Sequence, residues 1–103
     1  MPSRNYQLFR RVIVTRQQIT CTYQGFYREV CPHILGHKNG REVALTFQFA
    51  GQSRSGLPSA GEWRCLSLAD VDNVQIRGGQ WYSGPSHRVT QACVDDVDID
   101  VNR

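Results

Sequence analysis

The side chains best suited to chemistry in this chain are arginines and aromatic residues on neighbouring predicted strands. An arginine offers a planar fork of donors to phosphate or carboxylate, and an aromatic ring offers a stacking surface to a base. We therefore predict a ligand site built from Tyr23, Arg28, His33, Gln48, Trp63 and Arg64. The alternative is a structural role, with the two rings packed in the core or at its rim, Gln48 solvated, and Arg64 paired with a surface glutamate.

Cysteine and histidine side chains suggest two further kinds of chemistry. Cys31 with His33 or His37 could form a thiolate–imidazole pair or part of a metal site assembled in space. The four cysteines contain no C-x-x-C pair, however, and the chain shows no export signal. We therefore expect buried or free thiols rather than disulfides, and we predict no metal and no cofactor.

Enzyme signatures are absent from the sequence. It has no glycine-rich phosphate loop and no nucleophile-elbow serine, and its aspartates cluster near the end of the chain, where they are typical of solvated charge. We predict that the protein is not an enzyme.

Charge is distributed unevenly along the 103 residues. Residues 1–90 hold eleven basic and five acidic groups, whereas residues 91–103 hold four acidic groups and one arginine. Eleven of the twelve basic residues are arginine, which favours an anionic partner, although biased base composition of the genome would have the same effect. No apolar run is long enough to cross a membrane, so we expect a cytoplasmic protein without membrane association.

Hydrophobic periodicity predicts a helix followed by short strands. Residues 4–18 favour a helix, with Ser3 as N-cap and an apolar stripe formed by Leu8, Phe9, Val12 and Ile13. A hairpin turning at Gly25 follows, and its second strand, with Arg28 and Pro32 on one face, must lie at a sheet edge or bend at Pro32.

Later segments continue the β pattern. Asn39-Gly40 predicts a two-residue turn, and residues 43–50 predict a strand with one apolar face towards the core and one small, polar face outside. Residues 51–61 predict a mobile loop, residues 62–68 a fourth strand and residues 74–77 a fifth. The sequence therefore predicts one α+β domain, mostly β: an N-terminal helix packed on a strongly bent, five-stranded, Sm-like barrel over residues 19–77, with an irregular tail over residues 78–103.

Several of these motifs resemble the WYL domain. In that family a strand tyrosine is followed by Arg-x-x-x-Pro and later by an arginine-bearing strand; Tyr23, Arg28, Pro32, Leu35 and Arg64 match this pattern over about residues 19–76. The signature strand reads Val-Ala-Leu here and keeps only the final leucine. The resemblance implies a regulatory module with a Sm-like barrel that senses nucleotides or nucleic acids and is often attached to a winged-helix domain. We expect a divergent, stand-alone form, because the single predicted helix cannot supply a winged helix as well.

Two functions follow as hypotheses. The first is a non-enzymatic ligand-binding or regulatory module for a nucleotide or single-stranded nucleic acid, and the second is a structural domain that forms homo-oligomers through strand edges or the tail. We also predict that residues 94–101 dock on the basic body of their own chain or of a neighbour as an added strand, because Val97, Ile99 and Val101 alternate with aspartates. If the body binds an anion there, the tail would compete with that ligand. The alternative is a disordered, solvated end.

Overall fold

The computed structural model describes residues 2–53, 56–84 and 93–102 of the chain. Within these residues one helix precedes a single sheet of six strands and one short 3-10 turn. The elements are α1 Arg4–Thr15, β1 Gln18–Tyr23, β2 Phe26–Lys38, β3 Arg41–Gly51, β4 Glu62–Ser67, the 3-10 turn Leu68–Asp70, β5 Val71–Arg77 and β6 Asp96–Asp100.

All strand pairs in the sheet are antiparallel, and the strand order is β4-β3-β2-β1-β5, with β6 also paired to β2. The predicted α+β, mostly β class is confirmed. Within the described ranges no pairing joins β5 back to β4, so the sheet is open and the predicted Sm-like barrel is not supported.

Helix α1 is stabilised at both ends by local hydrogen bonds. The Ser3 hydroxyl accepts a hydrogen bond from the backbone N–H of Tyr6 at 3.1 Å, which confirms the predicted N-cap. Arg16 adopts a left-handed conformation with φ of 52° and ends the helix at Thr15, three residues before the predicted end at residue 18. The buried stripe of the helix comprises Tyr6, Phe9, Val12 and Ile13, while Leu8 is half-buried.

Two tight turns set the order of the first three strands. Gln24-Gly25 joins β1 to β2 and Asn39-Gly40 joins β2 to β3, and all four residues have φ between 52° and 83°. Two consecutive positive φ values match the right-handed twist of a hairpin, and Asn and Gly adopt them at little cost. Both predicted hairpins are confirmed.

Strand β2 is the central strand, not the edge strand that its proline suggested. It pairs with β3 on one side, and on the other side with β1 up to Val30 and with β6 from Ile34. Pro32 lies in the gap between these last two partners, where a strand residue without an N–H costs no ladder hydrogen bond. The register shifts between Pro32 and Ile34, so the predicted bend at the proline is present as a bulge.

The sheet buries both of its faces. Its helix face packs against α1 and carries the larger apolar cluster, which includes Ile19, Val30, Leu35, Ala44 and Leu66. Its opposite face, here called the disulfide face, carries a smaller cluster: Val43, Leu45, Cys93 and Val94, with Ile34, Trp63 and Val97 packed against it.

Burial of both faces corrects two predictions. The face of β3 that carries Thr46 and Gln48 was expected to lie outside, yet both side chains are fully buried. The bulge in β2 also places Leu35 in the larger cluster with Val30, and Ile34 in the smaller one, which is the reverse of a strict alternation.

The end of the chain docks on the sheet, as predicted for residues 94–101. Strand β6 pairs with β2 through Ile34, Leu35, Gly36 and His37. Gly36 permits this close approach, because a Cβ atom there would collide with the carbonyl oxygen of Asp96 and with a methyl group of Val94. The predicted tail over residues 78–103 is therefore partly an ordered strand; residues 85–92 of it lie outside the described ranges.

A disulfide between Cys65 of β4 and Cys93 fixes the approach to β6. The expectation of buried or free thiols rather than disulfides is wrong for these two, which lie 28 positions apart in the sequence. Cys21 and Cys31 are free and buried, as expected. Disulfides are rare in the cytoplasm, so this pairing weakens the predicted cytoplasmic location.

Candidate functional site: an arginine cleft

Most of the predicted site residues meet at one open cleft of about 390 Å³, here called the arginine cleft. Four of the six predicted residues line it, and Gln48 contacts one of those four. Its lining residues are Tyr23, Gln24, Arg28, Ser53, Trp63, Arg64 and Cys65. Strands β1, β2 and β4 therefore bring together residues that are more than 40 positions apart in the sequence.

Arg28 is the most deeply buried charged residue of the cleft, with 5% of its surface exposed. It lies opposite Cys21 in the β1–β2 ladder. Its guanidinium carbon lies 5.1 Å from the centroid of the Tyr23 ring, within the range of a cation–π interaction. The Tyr23 hydroxyl in turn accepts a hydrogen bond from the N–H of Ser67 at 3.2 Å. This bond fixes the position of the ring that contacts Arg28.

Gln48 orients Arg28 from the neighbouring strand. Its amide nitrogen donates to the carbonyl oxygens of Ala50 and Gln52, each at 3.1 Å, and these two bonds direct the amide oxygen towards Arg28. Arg28 Nη1 donates to that oxygen at 3.4 Å, which is long for a hydrogen bond. Gln48 is therefore a buried positioning residue rather than a solvated one.

Arg64 comes from β4 and is held by several acceptors. Its Nη2 donates to the Ser53 hydroxyl at 3.1 Å and to the Gly56 carbonyl oxygen at 2.9 Å, and lies 3.0 Å from a carboxylate oxygen of Glu62. The sequence left Glu29, Glu42 and Glu62 as possible partners of Arg64, and the structure pairs it with Glu62. The Nε atom of Arg64 is buried without a hydrogen-bond partner among the described residues.

The electrostatics of the cleft are unbalanced at Arg28. Within the described ranges no carboxylate forms an ion pair with it, and its Nε is also buried without a partner. Burial lowers the pKa of Arg28, and the like charge of Arg64 lowers it further. The pKa of a guanidinium is so high that Arg28 nevertheless stays charged. Among the described residues, Arg28 is therefore a buried positive charge that lines the cleft without an anionic partner.

His33 is placed apart from the other predicted residues. It is not among the residues that line the arginine cleft; its ring lies 4.8 Å from the Trp63 ring and 4.7 Å from the Trp81 ring. Its Nδ1 lies 2.7 Å from the carbonyl oxygen of Cys31, a geometry in which Nδ1–H donates. Burial lowers the pKa of His33, which favours the neutral ring. Trp63 lines the arginine cleft and also contacts the His33 ring.

Cys31 and His37, which the sequence suggested as parts of a thiolate–imidazole pair or a metal site, instead contact Tyr82 and Tyr6. The Cys31 thiol accepts a hydrogen bond from the N–H of Tyr82 at 3.4 Å, and burial raises its pKa, which disfavours a thiolate. His37 stacks on Tyr6, with ring centroids 5.4 Å apart. In the part of the chain that the structure describes, no group of three His, Cys, Asp or Glu side chains is placed to hold a metal ion.

Sequence reasoning missed Ser53, whose hydroxyl bonds to Arg64 and lines the cleft. Ser53 belongs to a loop with several serines and glycines, so only its contact in space distinguishes it from its neighbours. The loop prediction for residues 51–61 falls partly on residues 54 and 55, which lie outside the described ranges.

Comparison with known proteins adds no relative: no family model, no curated protein and no solved structure matches the chain. The resemblance to WYL domains therefore stays a prediction. Among the described residues, no helix has the length and apolar character needed to cross a membrane.

Proposed function

We propose that the protein is a non-enzymatic module that binds an anionic ligand, a nucleotide or single-stranded nucleic acid, in the arginine cleft. One observation carries this proposal: Arg28 is 5% exposed, lines the cleft and has no carboxylate partner within the described ranges.

The energetic cost of this arrangement supports a binding role. Removing an ion from water without pairing it costs several kcal/mol, and buried charges in proteins are normally paired for that reason. Within the part of the chain that the structure describes, Arg28 makes one hydrogen bond, a long one to the neutral amide of Gln48. A ligand anion beside Arg28 would offset that cost, because it would supply the missing opposite charge.

The other groups of the cleft suit a nucleotide or an oligonucleotide. Arg28 and Arg64 offer donors to a phosphate, and the Ser53 hydroxyl can add another. Trp63 lines the same cleft and provides a ring on which a base could stack. Tyr23, Arg28 and Arg64 are also residues that the WYL resemblance associates with a sensing module.

Isothermal titration calorimetry with a short oligothymidylate tests the proposal, since the probe supplies phosphates and bases together. We expect Arg28→Met to weaken binding by about tenfold to a hundredfold, the range for losing a hydrogen bond to a charged group. Arg77→Met is the matched control, because Arg77 is an exposed arginine paired with Glu29 and lies outside the cleft lining.

Circular dichroism should show that both variants remain folded. Equal binding by the wild-type protein and by Arg28→Met would exclude the arginine cleft as the site. Loss of binding in both variants alike would indicate attraction to general positive charge, which falls steeply with salt at any basic surface.

A second candidate function, self-association through sheet edges, is favoured by the open sheet. Strands β4 and β5 are the two ends of the pairing order, and an unpaired strand edge is a template for another chain. The C-terminal strand is already paired with β2 of its own chain. Light scattering over a range of protein concentrations tests this candidate, and a salt-insensitive dimer would support it.

A further inference from the structure

We infer that Glu62 makes the arginine cleft selective for a singly charged oxyanion, either a carboxylate or a phosphodiester, over a doubly charged phosphomonoester. This inference rests on the proposed function, because it specifies the charge of the ligand group that the cleft binds.

The described charged side chains in and beside the cleft do not cancel one another. Arg28 and Arg64 bring two positive charges, and Glu62 brings one negative charge, with its oxygen 3.0 Å from Arg64 Nη2. The other polar side chains that line the cleft in the described ranges, Tyr23, Gln24 and Ser53, are neutral, as is Gln48 beside Arg28. Among the described residues one positive charge is therefore left over, and one negative charge on the ligand completes the balance.

The position of Glu62 is fixed by the sheet. It is two residues before Arg64 in β4, so both side chains project from the same face of that strand, and it is opposite Gln48 in the β3–β4 ladder. Gln48 is the residue that contacts Arg28. The carboxylate is therefore held beside Arg64 and on the same face of the sheet as Gln48, although its side chain is 47% exposed.

The donors of the two arginines are not equally occupied. Arg64 already donates to Ser53 and Gly56 as well as to Glu62, whereas among the described residues Arg28 donates only to Gln48. One guanidinium fork matches one pair of oxygens that share a single charge. A second ligand charge would face the Glu62 carboxylate without a cation of its own.

Three probes at pH 8 and constant ionic strength test the inference by calorimetry. Benzoate carries a carboxylate, adenylyl-adenosine carries one phosphodiester, and adenosine 5′-monophosphate carries a phosphomonoester that is doubly charged above its second pKa of about 6. For the wild-type protein we expect benzoate or adenylyl-adenosine to bind more tightly than the monophosphate. Whichever of these two binds more tightly identifies the source of the single charge.

Glu62→Gln is the decisive variant, because it removes the negative charge and retains the shape of the side chain. It should strengthen monophosphate binding by roughly tenfold more than adenylyl-adenosine binding, the gain expected for one more ligand charge at a few ångströms in a partly screened site. Glu62→Asp should retain the wild-type preference. Glu29→Gln is the control, since Glu29 pairs with Arg77 instead.

The outcomes separate the two proposals. If the wild-type protein bound the monophosphate most tightly, or if Glu62→Gln strengthened both nucleotide probes equally, the selectivity inference would fail while anion binding would stand. If none of the three probes bound to any variant, while the oligothymidylate also failed to bind, the proposed function itself would fail.

Discussion

Two arginines, Arg10 on the helix and Arg28 in the sheet, lie in very different electrostatic environments. Arg10 on α1 lies 2.7 Å from the carboxylate of Asp98 in β6, and both side chains are partly exposed to solvent. Arg28 is almost fully buried and has no carboxylate partner in the described ranges. The first arrangement is typical of a structural ion pair, whereas the second favours stability only when an external anion is present.

Among the C-terminal aspartates, Asp98 binds the helix rather than the arginine cleft. Asp98 accepts hydrogen bonds from the Tyr6 hydroxyl at 2.6 Å and from Arg10 at 2.7 Å. This carboxylate therefore secures the docked strand against the helix and does not contact Arg28 or Arg64. The prediction that the tail docks is confirmed, while its contacts give no support to competition with a ligand in the arginine cleft.

The largest expected effect is the loss of stability on removal of the Cys65–Cys93 disulfide, which precedes strand β6. Replacing Cys65 and Cys93 by serine removes a disulfide that closes a loop of 28 positions, so we expect a loss of about 3 kcal/mol in the free energy of unfolding. Urea denaturation of the oxidised wild-type protein and of the double variant measures the difference. The binding constant for the oligothymidylate should change much less, provided that the protein remains folded.

A reducing agent supplies the control for this experiment. Dithiothreitol should lower the stability of the wild-type protein to that of the double variant and should leave the double variant unchanged. If dithiothreitol destabilised the double variant as well, the effect would not come from the Cys65–Cys93 bond.

Replacing Arg28 or Arg10 by methionine should change the free energy of unfolding in opposite directions. Arg28→Met should stabilise the ligand-free protein by about 1–3 kcal/mol, because it replaces an unpaired buried charge with an apolar side chain of similar length. Arg10→Met should destabilise the protein by less than about 1 kcal/mol, because it removes a partly exposed ion pair. Urea denaturation without ligand measures both, and destabilisation by Arg28→Met would mean that the arginine already has sufficient partners.

The sequence predicted the local features well because short-range rules determine them. Asn39-Gly40 and Gln24-Gly25 adopt the positive dihedral angles that two-residue hairpins need, and Ser3 satisfies the N–H of Tyr6 as an N-cap does. Within the arginine cleft, Arg28 and Arg64 were predicted from their side-chain chemistry and from the resemblance to WYL domains.

Other features depend on contacts between distant residues. Alternation along β3 assigns Gln48 to the polar face, but it does not indicate that α1 lies on one side of the sheet and the Cys93 segment on the other. Along β2, an odd spacing places His33 on the opposite strand face from Arg28, but it does not indicate that the His33 ring packs against Trp63 and Trp81. Closure of a barrel needs pairing between its first and last strands, which local patterns do not specify.

The smallest predicted effect is the pH dependence of the stability that Asp98 contributes through its ion pair with Arg10. Hydrogen bonds from Tyr6 and then from Arg10 lower the pKa of Asp98, so its contribution to stability is complete above the ordinary aspartate pKa of about 4 and is lost as the pH falls through the lowered value. Asp98→Asn should therefore cost about 1 kcal/mol at pH 7, a modest amount because the side chain is 39% exposed. Groups that titrate in both proteins, including His33, cancel in the difference between them. Urea denaturation from pH 7 to pH 2.5 should show this difference shrinking only below about pH 4, and a difference that stayed constant with pH would show that the charge of Asp98 does not stabilise the docked strand.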